Sequence, residues 1–220
     1  MRLHLASTSP ARLMLLRSAG IEPALIDPAV DEHAVRLAAE AAAGAPLQPA
    51  ALVQLLARAK AEAASAGLPE EPALVLGGDS VFVRGGVIYG KPHTPEAALE
   101  RWRQQRGRTG QLFSGHWLIE RGPQGRDRAI GAVAVAEVTF ADDITDAELD
   151  AYIATEEPLY VAGAFTIDSL GAPFISRIVG DPSTVVGLSL PTLRRLVRSL
   201  GYDWTSLWTR SAGGTTGTVL

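Results

Sequence analysis

The sequence predicts a mixed α/β protein, because strand-like and helical segments alternate in its first half and a long antiparallel hairpin follows. Residues 3–5 are typical of a short strand, and residues 7–10 then offer hydroxyls and a proline suited to the start of a helix. Leucines at helical spacing continue to Gly20, after which residues 21–26 are strand-like again. The chain is therefore expected to begin as strand, loop, helix and strand.

Prolines and glycines, which mark the ends of elements, and changes of hydrophobic period predict the remaining helices and strands. Residues 38–64 predict a pair of soluble helices divided at residues 46–49, and the apolar run 73–76 predicts a strand that ends at two glycines. The later predictions are a helix over 94–107, paired strands over 111–120 and 130–140 with a turn at 122–125, a helix over 146–154, strand and loop over 162–178, and a final helix over 191–200.

Length, charge and cysteine content limit the classes of function. A chain of 220 residues predicts one domain with two lobes over residues 1–210, and the small polar residues 211–220 predict a disordered tail. The net charge of −4 argues against broad binding of nucleic acid polymers, and the absence of cysteine excludes thiol nucleophiles and disulfides. Neither a leader peptide nor an apolar run of about 20 residues is evident, so a cytoplasmic protein without membrane contact is expected.

The most informative segment places an acid and a base close together in the chain. Asp79 follows an apolar run and two glycines, and Lys91 returns after one hairpin-length excursion. Glycine lets the backbone approach a ligand closely, and the end of a strand is a rigid place to present reactive groups. The alternative interpretation is an Asp-Ser turn and a hairpin with a solvated lysine.

Three further segments contain candidate binding residues. Ser7 and Arg12 flank a predicted helix start, where the helix dipole and free amides favour a phosphate, although simple capping is the alternative. Glu32 follows a proline turn, and Lys60 lies on a small-residue helix; both residues also fit solvated surfaces. No His-Glu-x-x-His, Gly-x-Ser-x-Gly or Walker motif is present, which argues against a zinc or serine hydrolase and a P-loop enzyme.

Read together, these segments are similar in order and spacing to the motifs of the Maf family. The motifs are LASTSPAR at 5–12, VDE at 30–32, AKA at 59–61, GDS at 78–80, GKP at 90–92, GRTGQLFSG at 107–115, AGAFTID at 162–168 and GDPSTVVGL at 180–188. Each motif alone is modest, but the series covers nearly the whole chain before the tail and is highly specific.

The resemblance implies a fold like that of the inosine triphosphate pyrophosphatases, with a twisted sheet, flanking helices and a nucleotide cleft between two lobes. It implies hydrolysis of nucleoside triphosphates to the monophosphate and pyrophosphate, with a divalent cation such as Mg²⁺ or Mn²⁺, and a homodimer. The roles it implies are Asp79 as general base, Arg12, Lys60 and Lys91 as phosphate-neutralising groups, Ser7 as a phosphate donor, and Glu32 with Asp79 as metal ligands.

The choice of nucleobase stays open. Ala11, Ser80 and Asp168 stand where the family branch that hydrolyses dTTP and UTP has arginine, threonine and glutamine. The acidic residue resembles the branch that acts on 7-methyl-GTP, or an actinobacterial subgroup of unassigned preference. A nucleotide-binding regulator of septum formation with little turnover is the alternative function, and a generic phosphatase or a sugar nucleotidyltransferase is a third.

Overall fold

One seven-stranded mixed sheet forms the centre of the protein. A computed structural model describes residues 1–122 and 126–209. The predicted tail over 211–220, and the predicted turn apart from Gly122, lie outside the described residues. The strands are β1 (Arg2–Ala6), β2 (Ala24–Ile26), β3 (Ala73–Arg84), β4 (Val87–Tyr89), β5 (Thr109–Arg121), β6 (Arg128–Phe140) and β7 (Ile175–Val179).

Seven α-helices are present within the described ranges, and five of them have a proline in the first turn, where its missing amide costs nothing. They are α1 (Pro10–Ser18), α2 (Glu32–Ala43), α3 (Pro49–Ala66), α4 (Pro95–Gln105), α5 (Asp146–Ala154), α6 (Pro182–Val186) and α7 (Leu190–Ser199). Short 3-10 turns cover Glu157–Tyr160, Ala162–Ala164, Ala172–Phe174 and Trp204–Leu207. In this part of the chain, no helix has both the length and the apolar character that crossing a membrane requires.

The pairing of β3 leaves a break beside its centre. The order of the sheet is β2-β1-β3-β5-β6-β7, and β3 pairs with β5 along residues 73–83. On its other edge, β3 pairs in parallel with β1 over 73–77 and antiparallel with β4 over 82–84. Residues 78–81 therefore have no strand partner on that edge among the described residues. We call this segment the β3 gap, and Asp79 lies within it.

The two largest hydrophobic clusters among the described residues lie at opposite ends of the long strands. Leu76 belongs to a core built on β1, α1 and α7, whereas Phe82 belongs to an aromatic core that includes Trp102, Phe140 and Phe165. The β3 gap separates Leu76 from Phe82 along the strand. The prediction of one two-lobed domain over residues 1–210 stays a prediction.

Helix α3 packs at unusually short range against the face of the sheet opposite to α1. A Cβ atom on Gly77 would lie 2.0 Å from the carbonyl oxygen of Ala57, and one on Gly115 would lie 2.2 Å from that of Val53. Real Cβ atoms do not approach backbone so closely, so these two glycines allow the backbone of α3 to lie directly on β3 and β5.

The predicted α/β class, the helix pair and the antiparallel hairpin are confirmed, but two strand predictions were wrong. The strand predicted over 21–26 is limited to Ala24–Ile26. The strand and loop predicted over 162–178 are present in part, as loop with 3-10 turns and a strand that begins at Ile175. The predicted end of the strand before Asp79 is also wrong, because β3 runs on to Arg84. Gly77 serves the contact with α3 rather than a turn.

Candidate active site

The β3 gap contains a buried carboxylate held by a buried ammonium group. Asp79 faces α3, and its Oδ1 atom accepts a hydrogen bond of 2.7 Å from Lys60 Nζ. The same Nζ atom lies 2.8 Å from Oε1 of Glu32, the first residue of α2. The side chains of Lys60 and Asp79 are 8% and 10% exposed, while that of Glu32 is 52% exposed. One lysine therefore joins a buried carboxylate to an exposed one.

Opposing effects act on the proton affinity of Asp79. Burial raises the pKa of this carboxyl group above its ordinary value, while the positive charges of Lys60 and then Arg12 act in the opposite direction. The net direction is upward. A carboxylate with a raised pKa binds a proton more readily than an ordinary aspartate, as a general base near neutral pH requires.

Arg12 approaches the gap from the other face of β3. It lies in the first turn of α1 and is buried, and its guanidinium donates to three neutral oxygens: 2.9 Å to the Gly187 carbonyl, 3.0 Å to Ser7 Oγ and 3.1 Å to Ser80 Oγ. Within residues 1–122 and 126–209 it forms no ion pair within 4.0 Å. A buried charge without a counterion is costly, so this position favours a bound anion.

Glycines leave space for that guanidinium. A Cβ atom on Gly78 would lie 3.1 Å from Arg12 Nε, and one on Gly187 would lie 3.5 Å from Ser80 Oγ. Burial lowers the pKa of Arg12, and the negative charges of Asp79 and Glu32 oppose this effect. Arg12 and Asp79 therefore influence each other electrostatically although they lie on opposite faces of β3.

A buried polar network holds the carbonyl group that Arg12 contacts. Ser80 Oγ lies 2.9 Å from Ser114 Oγ, and Ser114 donates to the Thr184 carbonyl in α6 at 2.9 Å. His116 is fully buried, and its Nε2 atom accepts a 2.8 Å hydrogen bond from the amide of Ser189, the N-cap of α7. Burial lowers the pKa of His116 to about 4, so the ring is neutral at pH 7. The chain around Gly187 is thus fixed on both sides.

The start of α1 differs from simple capping. Ser9 is the N-cap, but its side chain makes no capping hydrogen bond. Instead, Ser7 Oγ accepts from the Ser9 amide at 3.2 Å and from Arg12 Nη1. The hydroxyl of Ser7 is therefore held between the start of α1 and the guanidinium of Arg12.

Comparison with known proteins identifies the family of this chain. The family model described as Maf-like protein matches residues 2–200. The chain belongs to the Maf family. Curated relatives named nucleoside triphosphate pyrophosphatase include those of Leifsonia xyli (65% identical, covering 96% of this chain and 98% of the relative), Corynebacterium aurimucosum (48%, covering 94% and 98%) and Thermosynechococcus vestitus (48%, covering 90% and 93%).

Lys91 of this Maf protein lies at the border of the gap and apart from the Asp79 cluster. It is exposed and forms no ion pair with any described residue. Tyr89, two residues before Lys91, pairs with Phe82, the first β3 residue beyond the gap. The backbone before it is fixed, because the Gly90 carbonyl accepts from Arg101 at 2.5 Å and from the Gly163 amide at 3.3 Å.

The three positions associated with nucleobase choice have different surroundings. Ala11 is half-buried next to Arg12, and Ser80 points into the Arg12 network. Asp168 is exposed on the loop after the 3-10 turn Ala162–Ala164 and forms no ion pair with any described residue. The structure does not join these three side chains into one cluster.

The predicted metal ligands form an open arrangement. The described residues contain no group of three or more acidic or histidine side chains that would enclose a metal ion. Glu32 and Asp79 nevertheless converge on one cation, the ammonium of Lys60. Mg²⁺ in nucleotide sites commonly takes one or two carboxylates and completes its shell with phosphate oxygens and water, so the donor pair fits a cation shared with a triphosphate.

Sequence reasoning did not anticipate the polar network behind Arg12. The sequence alone assigns no individual role to residues 180–188, to Ser114 or to His116. The resemblance included the GDPSTVVGL and GRTGQLFSG motifs that contain most of this network. The two motifs meet only through the folded contacts between Ser114 and Thr184, which no spacing along the chain indicates.

Proposed function

We propose that this Maf protein is a nucleoside triphosphate pyrophosphatase that cleaves the bond between the α and β phosphates. The observation that carries the proposal is the pairing of a buried guanidinium that has no counterion in the described structure with a buried carboxylate of raised pKa, both at the β3 gap. An anion site next to a proton acceptor is what attack of water on a phosphate requires. The names of the curated relatives support the same activity.

In this proposal, the cationic side chains hold and neutralise the triphosphate. Arg12 binds from one face of β3 and Lys60 from the other, while Lys91 reaches the phosphate chain from the border of the gap. Ser7, already bonded to Arg12, donates to a phosphate oxygen. Phosphoryl transfer depends mainly on positioning and on neutralising charge, and no covalent nucleophile is needed.

Asp79 accepts the proton of the attacking water. The water oxygen forms a bond to the α phosphorus, the bridging oxygen leaves with pyrophosphate, and the nucleoside monophosphate remains. Glu32 and Asp79 would hold a divalent cation, Mg²⁺ or Mn²⁺, which would supply additional positive charge to the phosphate oxygens. Asp79 Oδ1 is bonded to Lys60, and its other oxygen has no hydrogen bond within the described structure.

The nucleobase preference includes modified or non-canonical triphosphates. Alanine at position 11 removes the large donor that an arginine would offer, and a carboxylate at Asp168 accepts from amino or ring N–H groups. Ser80 influences the same choice through its bond to Arg12. The homodimer implied by the family resemblance completes the proposal, and light scattering of the purified chain tests it.

Product analysis tests this function directly. The purified protein is incubated with a panel of ordinary and modified nucleoside triphosphates, including 7-methyl-GTP, with Mg²⁺, with Mn²⁺ and with chelator. We expect equimolar monophosphate and pyrophosphate, dependence on the cation, and ¹⁸O from labelled water in the monophosphate. Release of inorganic phosphate, label in the pyrophosphate, or nucleotide binding without turnover on any substrate would contradict the proposal.

A further inference from the structure

One carboxylate in the second half of the chain accepts an unusually large number of hydrogen bonds. Glu157 begins the 3-10 turn Glu157–Tyr160 and accepts five hydrogen bonds. The donors are Tyr152 Oη at 2.9 Å, Thr166 Oγ1 at 2.5 Å, Ser169 Oγ at 2.6 Å, the Leu170 amide at 3.3 Å and the Gly171 amide at 3.2 Å. Four of the five come from residues 166–171, so this carboxylate closes a loop.

The donors stand on both sides of Asp168. Thr166 precedes it by two residues, while Ser169 and the next two residues follow it immediately. The side chain of Asp168 is exposed and makes no hydrogen bond with any other described residue. The fold therefore fixes the backbone around Asp168 and leaves its carboxylate available.

Glu157 is charged in this arrangement. Burial raises the pKa of its carboxyl group, but the hydrogen bonds from Ser169, Thr166 and Tyr152 outweigh that effect and hold the pKa below its ordinary value. Hydrogen bonds to a charged acceptor are roughly twice as strong as those between neutral groups. The charge on Glu157 therefore strengthens the hydrogen bonds that hold the loop.

The same segment is attached to the backbone on both sides of Lys91. The Gly163 amide donates to the Gly90 carbonyl at 3.3 Å, and the His93 amide donates to the Leu159 carbonyl at 3.0 Å. A Cβ atom on Gly163 would lie 2.8 Å from the ring of Phe82, the first β3 residue beyond the gap. The loop that carries Asp168 is thus anchored beside the border of the proposed active site.

We propose that Glu157 is a positioning residue for nucleobase selection, which holds the loop 166–171 so that the carboxylate of Asp168 meets the base of the bound triphosphate. The inference rests on the proposed function and extends it from the phosphate chain to the base. Glu157 acts only through Asp168, and the phosphate chemistry at Asp79 does not depend on it.

The test compares Glu157→Gln with Glu148→Gln, a matched loss of charge at the capping box of α5 that leaves the loop untouched. For each variant, kcat and KM are measured across the nucleotide panel and with ribose 5-triphosphate, which lacks a base. In Glu157→Gln, the ratio of kcat/KM between the preferred and the poorest nucleotide is expected to fall roughly tenfold, since hydrogen bonds to charged groups are lost. The values for ribose 5-triphosphate and all values for Glu148→Gln should match wild type.

A double-mutant cycle separates positioning from general loss of structure. If Glu157 acts through Asp168, Glu157→Gln added to Asp168→Asn lowers base discrimination no further. Equal loss of kcat/KM for all nucleotides and for ribose 5-triphosphate, or unchanged discrimination, would overturn the inference.

Ser169→Ala removes one donor of the five and provides the decisive variant if Glu157→Gln does not fold. It is expected to lower discrimination in the same direction and to a smaller extent, and no change would overturn the inference. Absence of turnover in the wild-type protein would instead refute the proposed function, and isothermal titration would then compare base discrimination in binding alone, with the same expectations.

Discussion

Replacing Lys60 by methionine should destabilise the protein strongly, because it leaves the Asp79 carboxylate buried without its cation. Methionine keeps a similar length of side chain but removes the ammonium that lies 2.7 Å from Asp79. Breaking a buried ion pair by removing one partner typically costs about 3–5 kcal/mol. The side chain of Asp79 is 10% exposed rather than fully buried, so we expect a loss near the lower end, about 3 kcal/mol. Glu32 is half exposed and adds little.

Urea unfolding at pH 7 measures this loss. The set comprises wild type, Lys60→Met, Asp79→Asn and the double variant. Because a neutral asparagine does not require a counterion, adding Asp79→Asn to Lys60→Met should restore much of the lost stability. Free energies of unfolding that simply add across the two substitutions would contradict a direct Lys60–Asp79 interaction.

The loss of stability caused by Lys60→Met should depend on pH with a definite sign. Burial already raises the pKa of Asp79, and the charge of Lys60 is the largest effect that opposes it. In folded Lys60→Met, the pKa of Asp79 therefore rises further. The folded protein then holds a proton on Asp79 at pH values where the unfolded chain does not. The loss of unfolding free energy in Lys60→Met is therefore absent below the ordinary aspartate pKa. It develops as the pH rises through the raised pKa of Asp79 in the folded variant. A stability difference between variant and wild type that does not change with pH would refute this reasoning.

Three further predictions concern the packing and the Arg12 network. Gly77→Ala should lower the free energy of unfolding by about 3 kcal/mol or more through overpacking against α3, and unchanged urea denaturation would contradict the contact. Because burial lowers the pKa of His116 to about 4, wild-type stability should fall by about 3 kcal/mol from pH 7 to pH 4, a dependence that His116→Gln should flatten. Gly187→Ala should raise KM for nucleotide by displacing the carbonyl that holds Arg12, whereas Gly201→Ala, also at positive φ but without close neighbours, should affect stability only.

The elements predicted correctly are those with local signals. The helix beginning at Pro95 after the Thr94 cap and the long antiparallel hairpin follow from capping residues and hydrophobic period, and the structure has both. The course of β3 was not predictable in this way. Gly77 looks like a strand terminator in the sequence, but it is required by the backbone of α3, an element about twenty residues earlier in the chain.

The candidate site was predictable in part. The joint presence of Arg12, Lys60 and Asp79 followed from the family resemblance, and the structure brings these three together. Lys60 by itself fitted a solvated helix face, because nothing in its local sequence indicates that α3 packs directly on β3. His116 has no local signal, since its role depends on its contact with the Ser189 amide, 73 residues away.

The measurement that tests the central claim most directly is pyrophosphate release by Asp79→Asn, with nucleotide binding measured in parallel by isothermal titration. Asp150→Asn is the control, because Asp150 is exposed on α5 and has no hydrogen bond within the described structure. If Asp79 accepts the proton of the attacking water, kcat should fall by about 10²- to 10⁴-fold while nucleotide affinity stays close to wild type. Unchanged turnover in Asp79→Asn would contradict the account.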